Sequence, residues 1–162
     1  MRERWDKNCK SCQAIQGLIS ITNTPRILET PHWIVEHVCP TSIKGWLVVV
    51  LNRHCRALYD LTTEEVQEFG KLLSLICKAL HKILKTESEY VVQFAEGEGY
   101  QHVHFHVIAR LPKWPDTLKG RRIFSAVGND TENPLSSEDL TPLVLEIREY
   151  IIKQLPPYLI VV

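Results

Sequence analysis

The sequence has no excess of either charge and no long apolar run. Its 19 basic and 19 acidic residues give a formal net charge of zero, so there is no electrostatic basis for general binding to a nucleic-acid polymer or a membrane surface. The longest apolar run, Trp46 to Leu51, is far too short to span a bilayer. Any anionic ligand must therefore be held by a local set of side chains.

The first residues do not have the pattern of a secretory signal, and the number of cysteines is odd. Residues 1–10 are charged and polar, so they cannot form the apolar centre of a signal peptide. The five cysteines are an odd count, which without a signal favours a reducing compartment, and we predict a cytoplasmic protein. No repeat or domain boundary is evident, and 44% of the residues are hydrophobic. This composition predicts a single globular domain over residues 1–162.

The most informative stretch is a run in which three histidines, His102, His104 and His106, alternate with apolar residues. Successive side chains of a strand point to opposite faces, so we expect the imidazoles to share one face and the apolar residues to enter the core. Neighbouring histidines on such a face have Cα atoms about 6.7 Å apart, close enough for two rings to hold one phosphate or one metal ion. Because each cation disfavours the next, most of the set should be neutral at neutral pH.

The remaining pattern predicts an α+β fold with a largely antiparallel five-stranded sheet. Thr62 and Glu65 have the spacing of a capping box, and an apolar stripe of helical period runs from Val66 to Leu84. These features predict one long helix between strands 3 and 4. The segment from Glu96 to Gly99 is expected to form a tight connection between the last two strands. The predicted strands cover residues 26–30, 32–38, 45–51, 89–95 and 101–110.

The pattern weakens in the last third of the chain. Leu111 to Pro134 contains three prolines, and we expect an irregular surface segment there. A C-terminal helix is predicted from Pro142 to about Gln154, with Thr141 as its N-cap and the proline at the first helical position. The apolar tail from Pro156 to Val162 is expected to pack on the domain or on a partner subunit.

The heptad from His102 to Ile108 resembles the signature of the histidine triad (HIT) superfamily, in which histidines alternate with hydrophobic residues and two hydrophobic residues end the motif. Cys9 to Cys12 is similar to the Cys-x-x-Cys opening of many bacterial members. Gly45 to His54 resembles their glycine-led strand, which ends at a basic residue and a histidine. The resemblance covers a core of about residues 9–112 and leaves residues 113–162 as an extension.

The resemblance implies a nucleotide hydrolase or nucleotidyl transferase that acts at the α-phosphorus of a purine nucleotide conjugate, such as a phosphoramidate or a dinucleoside polyphosphate. By position, His104 matches the histidine that attacks phosphorus and forms a covalent nucleotidyl-histidine intermediate. His106 matches the third histidine, expected to hydrogen-bond phosphate oxygens, and backbone amides near Gly97 and Gly99 are expected to add donors to the substrate. His102 matches the first histidine and completes the predicted catalytic set.

The same relatives imply structural zinc bound by Cys9, Cys12, His54 and His102, a set of two thiolates and two imidazoles that suits a closed tetrahedral site. Zinc would tie the N-terminal segment to the catalytic strand, and no organic cofactor is expected. The implied partners are a purine nucleotide or its conjugate and a second copy of the chain in a homodimer. The alternatives for the two cysteines are a redox pair or idle thiols, although a thioredoxin-like motif would follow a strand and open a long helix.

Four positions depart from the family's pattern, one of which is Ala109 in place of the usual proline after the triad strand. Trp46 stands where many relatives have a histidine, and Glu98 and Gly99 stand where many have Gln and a Ser or Thr. The hydroxyl that often donates to the phosphate is therefore missing. This absence favours a second hypothesis, a nucleotide-binding protein with little or no catalysis. A third hypothesis is a metalloenzyme in which the three histidines bind a catalytic ion.

Overall fold

The computed structural model describes residues 5–125 and 133–161. The strands are β1 (Leu28–Glu29), β2 (Trp33–His37), β3 (Trp46–Leu51), β4 (Ser88–Val92) and β5 (His104–Arg110). The helices are α1 (Lys10–Ile15), α2 (Thr63–Leu84) and α3 (Ser137–Ile152). The strands form one sheet in the order β1-β2-β3-β5-β4, and each neighbouring pair is antiparallel. The predicted α+β architecture, with a long helix after the third strand and a C-terminal helix, is confirmed.

One face of the sheet is buried against α2 and α3. Phe105 and Val107 of β5 pack in this core beside Val49 of β3, which lies directly opposite Phe105. Burial of such apolar side chains is the main stabilising contribution to the fold. The apolar members of the alternating run thus enter the core as predicted. The opposite face of β5 is left for His104 and His106.

The predicted capping box at the start of α2 is present. The Glu65 N–H donates to the Thr62 hydroxyl at 3.3 Å, and the Thr62 N–H donates to the Glu65 carboxylate at 2.8 Å. The guanidinium of Arg53 also donates to this carboxylate through two nitrogens, at 2.6 and 2.8 Å. Burial alone would raise the pKa of Glu65, but these donors lower it. The segment that follows β3 is thereby fixed to the start of the long helix.

Strand β3 begins directly after Gly45, which lies in a close contact between α2 and β5. Its φ is +82°, and an added Cβ would lie 2.5 Å from Cδ1 of Leu84 and 2.9 Å from Cβ of Ala109. Only glycine tolerates both the left-handed backbone and this close approach. The Gly45 N–H donates to Nε2 of His37 at 3.0 Å. The glycine that leads this strand is therefore required by packing.

The last two strands are shorter than predicted. β4 ends at Val92 and β5 begins at His104, so the connection runs over residues 93–103 and is not a tight turn. His102 therefore lies outside β5. The backbone of Val103 still accepts a hydrogen bond from the Leu51 N–H at 3.1 Å. The polypeptide thus stays beside β3, and the imidazole of His102 is directed by a hydrogen bond to the Leu51 carbonyl of that strand and by its contacts with Cys9 and Cys12.

The predicted start of the C-terminal helix is wrong. α3 begins at Ser137, and Ser136 is its N-cap within a capping box. A helix that began at Pro142 would leave out Leu140, whose side chain is fully buried. Pro142 instead lies inside the helix at an exposed position, and because it has no N–H, the carbonyl group one turn earlier lacks its helical hydrogen bond. Thr141 is within the helix and is not its cap.

The segment after β5 is more ordered than an irregular loop. Short 3₁₀ turns form at Asp116–Leu118 and Gly120–Ser125, while residues 126–132 of the predicted segment lie outside the described part. Ile123 is buried beside Trp46, and Trp114 packs against the same small cluster. The segment therefore closes one end of the face that carries the histidines.

The C-terminal tail packs on the domain itself. Leu159 and Ile160 contact the main core, and the Val161 N–H donates to the carbonyl of Glu29 on the edge strand β1 at 2.9 Å. These contacts account for the apolar character of this segment. Within residues 5–125 and 133–161, no helix is long and apolar enough to cross a bilayer.

Candidate active site and metal centre

A cavity opens on the face of the sheet opposite α2 and α3, with an empty volume of about 680 Å³ that includes open solvent at its mouth. Its floor is set by strand register, because residues directly opposite each other on neighbouring strands share a face. Two such rows cross β2, β3 and β5: they consist of Ile34, Val50 and His104, and of Glu36, Val48 and His106. The second and third histidines of the run therefore lie side by side on the floor.

The walls of the cavity come from the N-terminal segment and from the connection before β5. The short helix α1 and the residues after it contribute side chains that are mostly apolar. Tyr100 lines the cavity from the connection. Arg26 donates to Glu36 at 3.1 Å, so the charges at this end are paired. The wall residues from the N-terminal side are Ser11, Ala14, Ile15, Ile21 and Thr22.

His104 is held in one orientation by the backbone. Its Nδ1 lies 2.7 Å from the carbonyl oxygen of His102. A carbonyl oxygen only accepts hydrogen bonds, so Nδ1 must carry the proton and Nε2 has a free lone pair. Burial lowers the pKa of His104, which keeps the ring neutral at neutral pH. The side chain therefore has the form of a nucleophile.

His106 is held by a side chain. The indole Nε1 of Trp46 donates to Nδ1 of His106 at 3.0 Å. Burial, together with the nearby His104, lowers the pKa of His106 to about 4. The centroids of the two imidazole rings are 5.1 Å apart, and the rings are nearly perpendicular. From the sequence alone, Trp46 is only a departure from the family's pattern. Its place on the same face as His106 follows from the pairing of Trp46 with Ile108.

The third cluster combines the Cys-x-x-Cys segment with two histidines. One ligand atom from each of Cys9, Cys12, His54 and His102 lies within 4.8 Å of every other. Nδ1 of His102 lies 3.5 Å from Sγ of Cys9 and 3.6 Å from Sγ of Cys12, and Nδ1 of His54 lies 3.4 Å from Sγ of Cys12. Both thiols and the His102 ring are buried. The structure therefore brings together all four residues of the predicted metal set.

These distances fit zinc. With Zn–S bonds of about 2.3 Å and Zn–N bonds of about 2.0–2.1 Å, a tetrahedral ion separates a bound sulfur from a bound nitrogen by about 3.6 Å. Nε2 of His102 donates to the Leu51 carbonyl at 2.7 Å, which leaves Nδ1 of this ring available for the metal. Nε2 of His54 lies 3.7 Å from a carboxylate oxygen of Asp6, which is too long for a hydrogen bond.

The remaining candidate residues lie outside the cysteine cluster. Among the described residues, the three histidines of the run do not form one metal-binding set, because only His102 joins the cysteines. Cys55 is buried and donates to the Ala57 carbonyl at 3.3 Å, outside the cluster. The carbonyl of Gly99 accepts from the Lys10 N–H at 2.8 Å, which joins the connection before β5 to α1. The substrate-binding role of Gly97 and Gly99 stays a prediction.

Residues 23–113 match the family model of the HIT domain, which covers more than half of the chain. The fold, the alternating histidines and this match together show that the chain belongs to the HIT domain family. The resemblance stated from the sequence is therefore confirmed.

Three proteins similar to this chain are 20–24% identical to it over the aligned residues. The galactose-1-phosphate uridylyltransferase of Thermotoga maritima is 24% identical over 115 residues, which span 68% of this chain and 36% of that enzyme. The chain thus spans little more than a third of this relative's length.

Several solved structures align with 90% of this chain. A HIT-like protein from Bartonella henselae superimposes with a TM-score of 0.65 and 23% identity over 90% of this chain and 98% of its own. A zinc-bound histidine triad family protein from Mycobacterium smegmatis gives a TM-score of 0.62 and 20% identity, over 90% and 94%. At these identities the two similarities show the common fold.

Proposed function

We propose that the protein is a nucleotide hydrolase or nucleotidyl transferase that acts at the α-phosphorus of a purine nucleotide conjugate through a covalent intermediate on His104. The observation that carries this proposal is the neutral, backbone-oriented ring of His104, whose free Nε2 belongs to a side chain on the floor of the cavity. The activity named for the Thermotoga maritima relative is also a nucleotidyl transfer. Phosphoramidates and dinucleoside polyphosphates are the substrate classes that we propose.

The proposed reaction has two displacements. Nε2 of His104 attacks the α-phosphorus, a P–N bond forms, and the bond to the leaving group breaks with its electron pair. The ring then carries a positive charge while Nδ1 keeps its proton, and the His102 carbonyl oxygen faces that charge. Water or a second acceptor next breaks the P–N bond and restores the neutral ring. No organic cofactor is needed for either step.

Charge builds on the phosphate oxygens during both displacements, and His106 is the proposed donor to them. Its side chain lies beside His104 on the cavity floor. Loss of one such donor typically raises the barrier by about 3–4 kcal/mol. Backbone amides near Gly97 and Gly99 are proposed as further donors, in place of the hydroxyl that this chain lacks. The apolar side chains of Ile15, Ile21 and Ile34 suit the faces of a purine ring.

We also propose that Cys9, Cys12, His54 and His102 bind one structural zinc ion. The sulfur–nitrogen distances and the Mycobacterium smegmatis structure support this assignment. The ion would supply a closed four-ligand link between the N-terminal segment and the start of β5, and the chemistry itself is left to the chain's histidines. From the family resemblance we further propose a cytoplasmic homodimer.

The experiment exposes the wild-type protein and the His104→Ala variant to an adenosine phosphoramidate and a diadenosine polyphosphate. Samples are quenched in alkali, because a nucleotidyl-histidine hydrolyses in acid, and are analysed by mass spectrometry. We expect an adduct on the peptide that contains His104, and a loss of turnover of more than about 10⁴-fold in the variant. His81→Gln is the matched control, since this histidine lies on α2 and lines a different surface depression.

A second candidate is a nucleotide-binding protein with little or no catalysis, and the missing side chain at Gly99 favours it. Calorimetry with AMP separates the two candidates. Tight binding without an adduct or turnover would establish the second candidate. Neither binding nor an adduct across the panel would overturn both.

A further inference from the structure

The two histidines on the cavity floor have partners of opposite hydrogen-bonding character. Nδ1 of His104 faces a carbonyl oxygen at 2.7 Å, which can only accept. Nδ1 of His106 faces the indole nitrogen of Trp46 at 3.0 Å, which can only donate. A neutral imidazole carries one proton, on one nitrogen or the other. The two adjacent rings are therefore held in opposite tautomers.

From this contrast we infer that Trp46 is the positioning residue that fixes the proton of neutral His106 on Nε2 and so makes this ring a donor to an anionic oxygen. His104 presents a lone pair at Nε2, whereas His106 presents an N–H at Nε2. The inference deepens the proposed function, because it assigns the donor role to the residue beside the nucleophile. Without the indole, nothing among the described contacts of His106 selects this tautomer.

The indole itself has little freedom to move. Trp46 is only 4% exposed and packs among Ile43, Ile108 and Ile123. The indole and imidazole rings meet at an interplanar angle of 66°, with centroids 5.7 Å apart. Trp46 and Ile108 are opposite each other on β3 and β5, so the indole reaches His106 diagonally along the same face. The N–H is thus fixed by the packing of a buried cluster.

This arrangement assigns a role to Trp46, which departs from the histidine found in many relatives. The sequence has a tryptophan where many relatives have a histidine, and a tryptophan adds no titratable group next to His106. An indole N–H donates at every pH, so it cannot exchange its role with the imidazole. The donor character of neutral His106 therefore does not depend on the protonation state of a histidine at position 46.

The inference is tested by ¹⁵N NMR of protein labelled at its histidines, at a pH where His106 is neutral, with the signals assigned through His106→Ala. In the wild type we expect Nδ1 of His106 to show the shift of an unprotonated, hydrogen-bonded nitrogen and Nε2 to carry the proton. In Trp46→Phe we expect both nitrogens to move toward the averaged shifts of a tautomer mixture. Trp114→Phe makes the same change in the same cluster and should leave the two ¹⁵N shifts of His106 unchanged.

Kinetics with the best substrate of the panel provides the second readout. We expect Trp46→Phe to lower kcat about tenfold with KM changed less than about twofold, because the donor acts on charge that develops in the transition state. A proton on Nδ1 of His106 in the wild type overturns the inference without any variant. Unchanged His106 shifts in a folded Trp46→Phe protein also overturn it. The NMR result needs no turnover, so its failure is distinct from failure of the proposed function.

Discussion

Nδ1 of His104 lies 2.7 Å from the carbonyl oxygen of His102, the residue whose own side chain enters the cysteine cluster. The backbone of a proposed metal ligand thus orients the proposed nucleophile. A second link runs through α1, because Cys12 belongs to the cluster while its neighbour Ser11 lines the cavity. Anything that loosens the cluster should therefore disturb both the nucleophile and one wall of the cavity.

The first prediction concerns removal of the metal. We expect wild-type protein to hold one zinc per chain and Cys12→Ser to lose it. Stability should fall by about 4 kcal/mol if free zinc otherwise stands at about 1,000 times its dissociation constant. Affinity for AMP should fall as well, because α1 is a wall of the cavity. Elemental analysis, thermal unfolding with and without a chelator, and calorimetry measure the three effects.

Two controls make this result specific. Cys77→Ser changes a half-buried thiol on α2, outside the cluster, and should retain zinc and nucleotide affinity. His104→Ala should also retain zinc. If the metal were lost with His104→Ala and kept in Cys12→Ser, the ion would belong to the triad and the structural site would be refuted.

The second prediction concerns the start of α3. Ser136→Ala should lower the free energy of unfolding by about 1 kcal/mol, because the Ser136 hydroxyl accepts the Asp139 N–H at 3.1 Å. Thr141→Ala should cost less, since that hydroxyl lies inside the helix and donates to the Ser137 carbonyl at 2.7 Å. Urea unfolding of the two variants decides the order. A larger loss in Thr141→Ala would contradict the observed helix start.

The start of α3 also shows why local sequence rules were insufficient there. Ser136 and the pair Thr141-Pro142 both satisfy the rules for a helix start. The choice depends on Leu140, which is buried in the core and must therefore belong to the helix. Whether a side chain finds space in a core depends on distant elements, and a local pattern carries no such information.

The same distinction applies to the candidate site, because some of its contacts follow from local sequence pattern and others depend on residues far apart in the chain. The metal set joins Cys9 to His102 across 93 positions of the chain, and only the family resemblance predicted that contact. The alternation of the histidines, by contrast, correctly predicted that His104 and His106 share one face of β5, although it also placed His102 in that strand. The contact between Trp46 and His106 was missed because it depends on the register of β3 against β5, which the sequence does not specify.

The third prediction concerns acid stability and rests on His37. Its Nδ1 donates to the Val38 carbonyl at 2.7 Å, its Nε2 accepts the Gly45 N–H at 3.0 Å, and burial lowers its pKa below the ordinary 6.5. The unfolded chain therefore binds the proton more readily than the folded chain. The contribution of neutral His37 to the free energy of unfolding should therefore be fully present above about pH 6.5. It should decrease as the pH falls below this value.

His37→Gln removes this titration while an amide oxygen and an amide N–H remain for the same two partners. With zinc present throughout, urea unfolding at several pH values should give a shallower loss of stability for the variant than for the wild type. The slope is the criterion, so a uniform loss of stability in the variant does not affect it. Equal slopes would mean that His37 makes no contribution to acid unfolding.

The last prediction concerns the position where many relatives have a Ser or Thr. Gly99 has a φ of +78°, and an added Cβ would lie 3.2 Å from Cδ and Cε of Lys10. The left-handed backbone costs a non-glycine residue about 1–2 kcal/mol, whereas the Lys10 side chain can move aside. We therefore expect Gly99→Ser to lose about 1–2 kcal/mol of stability and to gain less than about twofold in turnover.

The matched control is Gly97→Ser, whose Cβ would meet Tyr100 only at 3.7 Å, and it should stay within about 0.5 kcal/mol of the wild type. Urea unfolding and turnover measure both variants, and a fully stable, markedly faster Gly99→Ser protein would show that the missing hydroxyl alone limits catalysis.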